Sequence, residues 1–224
     1  MTVRYCYDHP HPAVTTDIVL FTLQGERLML LLIRRGNAPF KGAWALPGGF
    51  VDPGETLDGC AVRELAEETG VSGVWLEQLY TFGKPDRDPR ERVISVAYFA
   101  LAPSEKFELR AASDATALGW FPVDELPPLA FDHAEIVAMA RKRLTAKVDY
   151  STIAFNFLPR RFTLSSLQAV YETIRGERLD KRNFRKWFLG TGHVEPTGEL
   201  FRNGSHRPAM LYKARHPGRV EFIR

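Results

Sequence analysis

Apolar residues form short runs through the first half of the chain and recur at helical spacing in the second half. Residues 15–23 and 27–33 are rich in Val, Ile, Leu, Phe and Thr, and Gln24-Gly25-Glu26 between them is typical of a hairpin turn. This pattern predicts two antiparallel strands. Four further strands are predicted by similar runs, at residues 43–46, 74–82, 93–101 and 118–121.

Two segments between and after these runs have a helical period. Residues 57–69 carry one apolar face and are followed by Gly70, which is well placed to end a helix. Residues 132–147 predict an amphipathic helix with Asp132 at its N-cap, although a ligand contact by the adjacent His133 is an alternative interpretation. Mixed strands around two helices predict an α/β sandwich.

A different pattern begins after residues 148–153, where we expect a domain boundary dividing the chain into residues 1–150 and 151–224. Thr163 and Asp180 are good N-caps for two successive helices. Asn203-Gly204 then predicts a turn and residues 209–214 a returning strand. Two helices followed by a hairpin are the outline of a winged helix-turn-helix.

The two halves differ in charge. The chain has a formal net charge of +3, but residues 151–224 contain 14 basic and 6 acidic residues, a net charge of +8. The preceding residues contain 16 basic and 21 acidic residues, a net charge of −5. An acidic N-terminal part suits a cation site, and a basic C-terminal part suits a polyanion.

Cysteine spacing and hydropathy argue against several classes of protein. Cys6 and Cys60 are the two cysteines and have no paired spacing, which argues against a disulfide framework or a cysteine-based zinc site. The histidines likewise show no metal spacing. The first residues lack a signal-peptide core, and no apolar stretch is long enough for a membrane helix. We therefore expect a cytoplasmic protein with no membrane partner.

Three glutamates near the end of the first helix are the strongest chemical signal. Glu64, Glu67 and Glu68 have i, i+3 and i+4 spacing, so they project from one helix face. A solvated acidic face is the ordinary interpretation. The flanking Pro47-Gly48-Gly49 turn and the Gly70 stop favour a compact cage for a hard cation such as Mg²⁺ or Mn²⁺.

This stretch resembles the Nudix family, whose box has a fixed residue at each of nine positions. All of them are present, as Gly49, Glu55, Arg63, Glu64, Leu65, Glu67, Glu68, Gly70 and Val71. The resemblance implies a mixed sheet between helices and hydrolysis of a diphosphate. It also implies that Glu64, Glu67, Glu68 and the Gly49 carbonyl bind metal.

Individual roles remain open at this point. Glu64 is the candidate base within the box, and a loop acid elsewhere is an equal alternative. Arg63, counted with the glutamates in the catalytic set, is expected to brace the box by an ion pair with Glu55. Substrate phosphates are expected to contact Gly49 and the loop arginines, because arginine binds phosphate bidentately. These arginines are Arg35, Arg87 and Arg90.

The basic half predicts contacts with double-stranded DNA. Arg182, Arg185 and Lys186 lie on one face of the second predicted helix, opposite an aromatic face, and Arg202 and Arg207 flank the hairpin turn. A scaffold or dimer element is the alternative. Several stretches resemble the Nudix-related transcriptional regulators, namely FTLSSLQAVYETIRG, LDKRNFRKWFLG, RPAMLYKA, RERVISVAYFAL and LAFDH.

That second resemblance implies a homodimer that binds ADP-ribose in the Nudix domain and DNA through the winged helix. Many such regulators carry a damaged box, whereas this box is complete. Two hypotheses follow. The first, favoured by the complete box, is a Mg²⁺-dependent hydrolase that cleaves ADP-ribose or a related nucleoside diphosphate sugar and also binds DNA. The second is a repressor of NAD or sugar metabolism that uses ADP-ribose as its signal, with hydrolysis vestigial or absent.

Overall fold

The N-terminal part is a seven-stranded mixed sheet between two helices, seen in a computed structural model that describes residues 8–103, 115–202 and 208–223. The main strand order is β3-β2-β1-β6-β5, with β4 paired to β1 and β7 paired to β2. The strands are β1 Ala13–Gln24, β2 Arg27–Arg35, β3 Trp44–Ala45, β4 Gly48–Phe50, β5 Trp75–Phe82, β6 Val93–Leu101 and β7 Ala115–Pro122. The helices are α1 Leu57–Thr69 and α2 His133–Tyr150.

The hydrophobic pattern predicts these elements well. The first strand pair, α1 and β6 lie at or close to the expected positions, and β1 and β6 pair in parallel over their whole shared length. The short strand β4, which contains Gly49, was not predicted. It pairs antiparallel with β1 and so holds the glycine turn beside the sheet.

Alternate residues of the central strands face opposite sides of the sheet, as the two-residue period of a strand requires. Ile18, Leu20 and Leu31 pack with α1 on one side. Val19 and Phe21 belong to a larger cluster on the other side, which includes α2. The predicted α/β sandwich is therefore confirmed.

The C-terminal part is a winged helix. It contains a 3₁₀ helix, two α-helices and a three-stranded sheet with the order β8-β10-β9. Their bounds are Thr152–Phe157 for the 3₁₀ helix, α3 Leu164–Arg175, α4 Lys181–Gly190, β8 Phe162–Thr163, β9 Val194–Phe201 and β10 Ala209–Ala214. The Thr163 and Asp180 side chains cap α3 and α4 as predicted.

One hydrophobic cluster runs through both parts of the chain. Leu144 and Val148 of α2 lie in the same buried cluster as Leu167 and Tyr171 of α3, and Tyr171 contacts the aromatic rings of α4. The boundary between residues 1–150 and 151–224 remains a prediction. Within the described residues, no helix is long and apolar enough to cross a membrane.

Candidate functional site

A cavity of about 390 Å³ opens between the end of β2, the β4 turn, α1 and the segment before α2. Its charged lining consists of nine side chains, five acidic and four basic: Asp17, Asp52, Glu64, Glu68, Asp88, Arg35, Arg63, Arg87 and Arg90. The cavity therefore brings together four of the box residues, Gly49, Arg63, Glu64 and Glu68, and all three predicted substrate arginines. Glu67 lies outside this lining.

The glycine turn fits tightly against α1. A Cβ atom added at Gly49 would lie 2.2 Å from Glu64 Oε1, so only glycine lets this carboxylate reach the turn. The Gly48 backbone N–H donates a 2.8 Å hydrogen bond to Glu68 Oε2. The box glycines thus place two α1 carboxylates at the wall of the cavity.

Arg63 holds the box together, as expected. Its guanidinium makes a two-pronged contact with Glu55, with both N···O distances at 2.9 Å. It also reaches Glu64 at 2.7 Å and Glu67 at 3.1 Å. These hydrogen bonds lower the pKa of Glu55 to about 2. Arg63 is therefore a bracing residue in this geometry, and its catalytic role stays a prediction.

The three box glutamates do not converge into a finished cage. Among the described residues, no three acidic, histidine or cysteine side chains lie close enough together to hold a metal ion. The Glu67 side chain is 59% exposed and turned towards Arg63. Glu64 and Glu68, which line the cavity, have the oxygen chemistry that Mg²⁺ prefers, so these residues fit such an ion.

Burial raises the pKa of Glu64, against the opposing effect of Arg63. Glu64 accepts a hydrogen bond from Arg63, and a desolvated carboxylate is further stabilised in its charged form by a cation nearby. Glu64 thereby meets the requirement for a metal ligand or for a base.

A buried charged network forms the opposite wall. Arg87 Nε and Nη2 donate to the two oxygens of Asp132 at 3.0 and 2.7 Å, and Nη2 also reaches Asp17 at 3.2 Å. The side chains of Arg87, Asp17 and Asp132 are 4%, 9% and 8% exposed. Asp17 also accepts a 2.5 Å hydrogen bond from Ser95.

This network corrects one expectation at the start of α2. Asp132 occupies the N-cap position, but its side chain makes no capping hydrogen bond. Both of its oxygens are taken by Arg87, because a buried guanidinium needs a carboxylate partner more than an exposed helix end does. His133 lines the cavity, and its Nδ1 accepts a hydrogen bond from the Leu46 N–H.

The remaining two cavity arginines each lie over an aromatic ring. The Arg35 guanidinium is 4.8 Å from the ring centre of Phe131, and that of Arg90 is 5.3 Å from the ring centre of Phe50. Arg90 also pairs with Asp88 at 2.7 Å. Three of the four cavity arginines are thus already neutralised by carboxylates.

The sequence interpretation missed Asp17, Ser95 and Phe131. Asp17 offered one signal, since it is a lone carboxylate within the apolar run of β1. A buried charge in a strand needs a partner from elsewhere in the fold. Ser95 and Phe131 gave no comparable signal, because their positions depend on strand pairing and on a loop.

A second charged surface lies on α4. Arg182 and Lys186 are exposed, whereas Phe184 and Phe188 on the opposite face are buried. Arg185 is half-buried and donates to Ser165 of α3 at 3.3 Å. Arg202 is exposed at the end of β9, and Arg207 lies outside the described residues.

Comparisons with known proteins agree with this two-part architecture. The family model of the NUDIX domain matches residues 11–140, and that of the NrtR DNA-binding winged helix domain matches residues 154–214. An ADPR responsive transcriptional repressor of Acinetobacter baylyi is 38% identical over 92% of this chain and 83% of its own length. An ADP-ribose pyrophosphatase of Methanocaldococcus jannaschii is 43% identical over 57% of this chain and 72% of its own length.

Solved structures give the same result. The crystal structure of Shewanella oneidensis NrtR complexed with a 27mer DNA superposes with a TM-score of 0.81 at 38% identity, covering 90% of this chain and 93% of that one. The NUDIX domain of the same protein, complexed with ADP ribose, gives a TM-score of 0.57 at 38% identity over 62% of this chain and 94% of that one. The chain therefore belongs to the Nudix family, and within it to the NrtR group in which a winged-helix domain follows the Nudix domain.

Proposed function

We propose that this protein is a DNA-binding transcriptional regulator whose Nudix cavity binds ADP-ribose and thereby controls DNA binding. One observation carries the proposal: a charged cavity of about 390 Å³ and an exposed basic helix lie on different parts of one continuous core. The full-length similarity to a repressor named as ADPR responsive supports it.

The basic surface of α4 supports the DNA-binding part. No acidic partner for Arg182 or Lys186 occurs among the ion pairs of the described residues, and both side chains are exposed. Exposed cations without an acidic partner are available to phosphate oxygens. The aromatic face of α4 packs on α3 and fixes the position of the helix. Arg202 and Arg207 are the proposed wing contacts.

The charge of the cavity supports a ligand that arrives with a divalent cation. Five carboxylates and four arginines give the lining a net charge of −1 if all are ionised. A diphosphate would be repelled by this lining unless further positive charge entered with it. Mg²⁺ or Mn²⁺ held by Glu64 and Glu68, with Glu67 and the Gly49 carbonyl as further ligands, would supply that charge.

DNA binding can be measured with a labelled fragment from upstream of the protein's own gene. We expect binding that weakens with salt, and that weakens further when the non-hydrolysable α,β-methylene analogue of ADP-ribose is added with Mg²⁺. The absence of any shift at low salt, on this and other neighbouring promoter fragments, would contradict the DNA-binding part. Tight DNA binding that ignores the analogue would contradict the regulatory part.

Hydrolysis of ADP-ribose to AMP and ribose 5-phosphate is the second proposed function. The complete box and the placement of Glu64 and Glu68 at the cavity favour it, and so does the similarity to a pyrophosphatase. A bound divalent cation would make water nucleophilic near neutral pH. Arg63 would keep α1 and the glycine turn in register, and Arg35 and Arg90 would orient the phosphates.

Release of AMP from ADP-ribose in the presence of Mg²⁺ or Mn²⁺ tests this function. Glu68→Gln and Glu67→Gln should each cost most of the turnover, since each removes a negative charge from the cation site. Glu125→Gln, which alters an exposed pair with Arg27, is the control and should leave turnover unchanged. Near-normal turnover in both box variants would contradict the metal assignment.

A homodimer is the expected assembly, because winged-helix regulators commonly read paired half-sites. Light scattering of the purified protein should give twice the chain mass of 25.4 kDa. A monomer both alone and on DNA would contradict this expectation.

A further inference from the structure

The Arg87–Asp132 ion pair joins the wall of the cavity to the residue that immediately precedes α2. Arg87 lies on the loop between β5 and β6 and lines the cavity, while Asp132 immediately precedes α2. The guanidinium holds Asp132 through two hydrogen bonds of 3.0 and 2.7 Å. Any ligand that draws Arg87 away therefore also frees Asp132, next to the start of α2, from its ion pair.

An anionic ligand in this cavity has a reason to compete for Arg87. Arg63 is shared among carboxylates of the box, and Arg90 is held by Asp88. Arg87 is shared between two carboxylates, Asp17 and Asp132. Asp17 and Asp132 both lie within 3.2 Å of Arg87 Nη2, so a phosphate oxygen that engaged this nitrogen would leave two buried carboxylates repelling each other. That repulsion favours the separation of Asp132 from Arg87 once a ligand is bound.

Helix α2 is suited to carry that change across the molecule. It has 18 residues, so it is about 27 Å long. Its C-terminal half buries Leu144 and Val148 in the cluster shared with the winged helix, and Asp149 lies 3.7 Å from Arg175 at the end of α3. Because tightly packed protein interiors transmit strain, a shift at the start of α2 would move the contacts between its C-terminal half and α3.

The path continues from α3 to the basic helix. The Tyr171 ring of α3 lies 5.3 Å from the Phe184 ring and 5.6 Å from the Trp187 ring, centre to centre. The same residues set the position of α4, whose other face carries Arg182 and Lys186. A repositioned α3 would therefore reposition the DNA-contacting side chains.

We infer that the Arg87–Asp132 ion pair is a ligand-operated latch, closed in the DNA-binding state and opened when a diphosphate ligand engages Arg87. This inference rests on the proposed regulatory function, and it assigns the coupling between ligand and DNA to Arg87 and Asp132. The two states differ in one defined contact: Arg87 is bound either to Asp132 or to the ligand. A ligand can shift such an equilibrium only through a difference of this kind.

The test uses a matched pair of variants in the same two segments. Asp132→Asn weakens the latch but keeps a residue suited to an N-cap. Glu135→Gln is the control, because Glu135 pairs with Lys84 at 2.6 Å across the same loop and the same first turn of α2, yet both side chains are more than half exposed and neither lines the cavity. Affinity for the methylene analogue is measured by calorimetry with Mg²⁺, and DNA affinity by fluorescence anisotropy.

We expect Asp132→Asn to bind the analogue about 3- to 10-fold more tightly, because Arg87 no longer has to leave a charged partner. Its DNA affinity should respond to the analogue at least 5-fold less than that of the wild-type protein. Glu135→Gln should match the wild type in both measurements. Arg87→Lys, which keeps the charge but loses the two-pronged contact, should also lose the response and serves if Asp132→Asn fails to fold.

Each other outcome has a distinct meaning. A wild-type response that persists unchanged in Asp132→Asn overturns the latch while leaving the regulatory function intact. Weaker analogue binding by Asp132→Asn also overturns it, since the latch then does not compete with the ligand. A wild-type protein that binds both analogue and DNA without mutual effect overturns the regulatory function and the latch together.

Discussion

Arginines serve opposite purposes in the two parts of this molecule. In the Nudix cavity, Arg63, Arg87 and Arg90 are each neutralised by carboxylates, and Arg87 is almost fully buried. On α4, Arg182 and Lys186 are exposed and have no ion-pair partner among the described residues. The paired arginines leave the cavity lining with a net negative charge, whereas Arg182 and Lys186 present exposed positive charge of the kind that suits a polyanion.

The largest expected effect comes from breaking the buried pairing. Arg87→Met should lower the free energy of unfolding by about 3–5 kcal/mol, because it leaves Asp17 and Asp132 buried without a cation. Urea denaturation measures this change. Arg27→Met, which breaks an exposed pair with Glu125, is the control and should cost about 0–1 kcal/mol. Equal losses in the two variants would contradict the contrast between buried and exposed arginines.

Removing the exposed charges of α4 should leave the stability of the protein nearly unchanged but weaken its binding to DNA. The double variant Arg182→Ala, Lys186→Ala should change stability by no more than about 0.5 kcal/mol, since both side chains are exposed and neither has an ion-pair partner in the part of the chain that the structure describes. Its DNA affinity should fall, and the slope of log K against log salt should become less negative by about 1.8, because two phosphate contacts are lost. Anisotropy titrations at several salt concentrations measure both. The double variant Arg141→Ala, Lys142→Ala on α2 is the charge-matched control, since both side chains are exposed. An equal change of slope in that control would argue against a specific role for α4.

The smallest expected effect concerns the pH dependence of the ion pair between Glu55 and Arg63. The Glu55 pKa is lowered to about 2 by its hydrogen bonds to Arg63. A lowered pKa means that the stabilisation from this pair is present above the unfolded value near 4.5 and is lost as the pH falls towards 2. NMR titration of the Glu55 carboxylate should show this low midpoint, and Arg63→Gln should raise it. A midpoint near 4.5 in the wild-type protein would show that the pair does not form in solution.

Local chemistry made much of this fold predictable from the sequence. The bounds of α1 follow from a capping threonine, an apolar face and Gly70, all of which act within a few residues of the helix. The Arg63–Glu55 ion pair was also expected as a brace of the box, and it joins residues only eight apart in the chain. Both features lie within the box, whose interacting residues are close together in the sequence.

The buried network was not predictable in the same way. Arg87 is 70 residues from Asp17 and 45 from Asp132, so their contact depends on the pairing of β1 with β6 and on the packing of α2. The sequence showed Asp132 beside a helix start, for which capping is the ordinary role. The partner that overrides this role comes from a distant loop, which no local pattern reveals.

The central claim is that a ligand bound in the cavity and DNA bound to α4 each lower the protein's affinity for the other. The most direct measurement is the affinity of the wild-type protein for the α,β-methylene analogue of ADP-ribose, by calorimetry with Mg²⁺, with and without a saturating DNA fragment. Coupling between two sites is reciprocal, so DNA should weaken analogue binding by the same factor by which the analogue weakens DNA binding. Identical analogue affinity in the presence and absence of bound DNA would contradict the account.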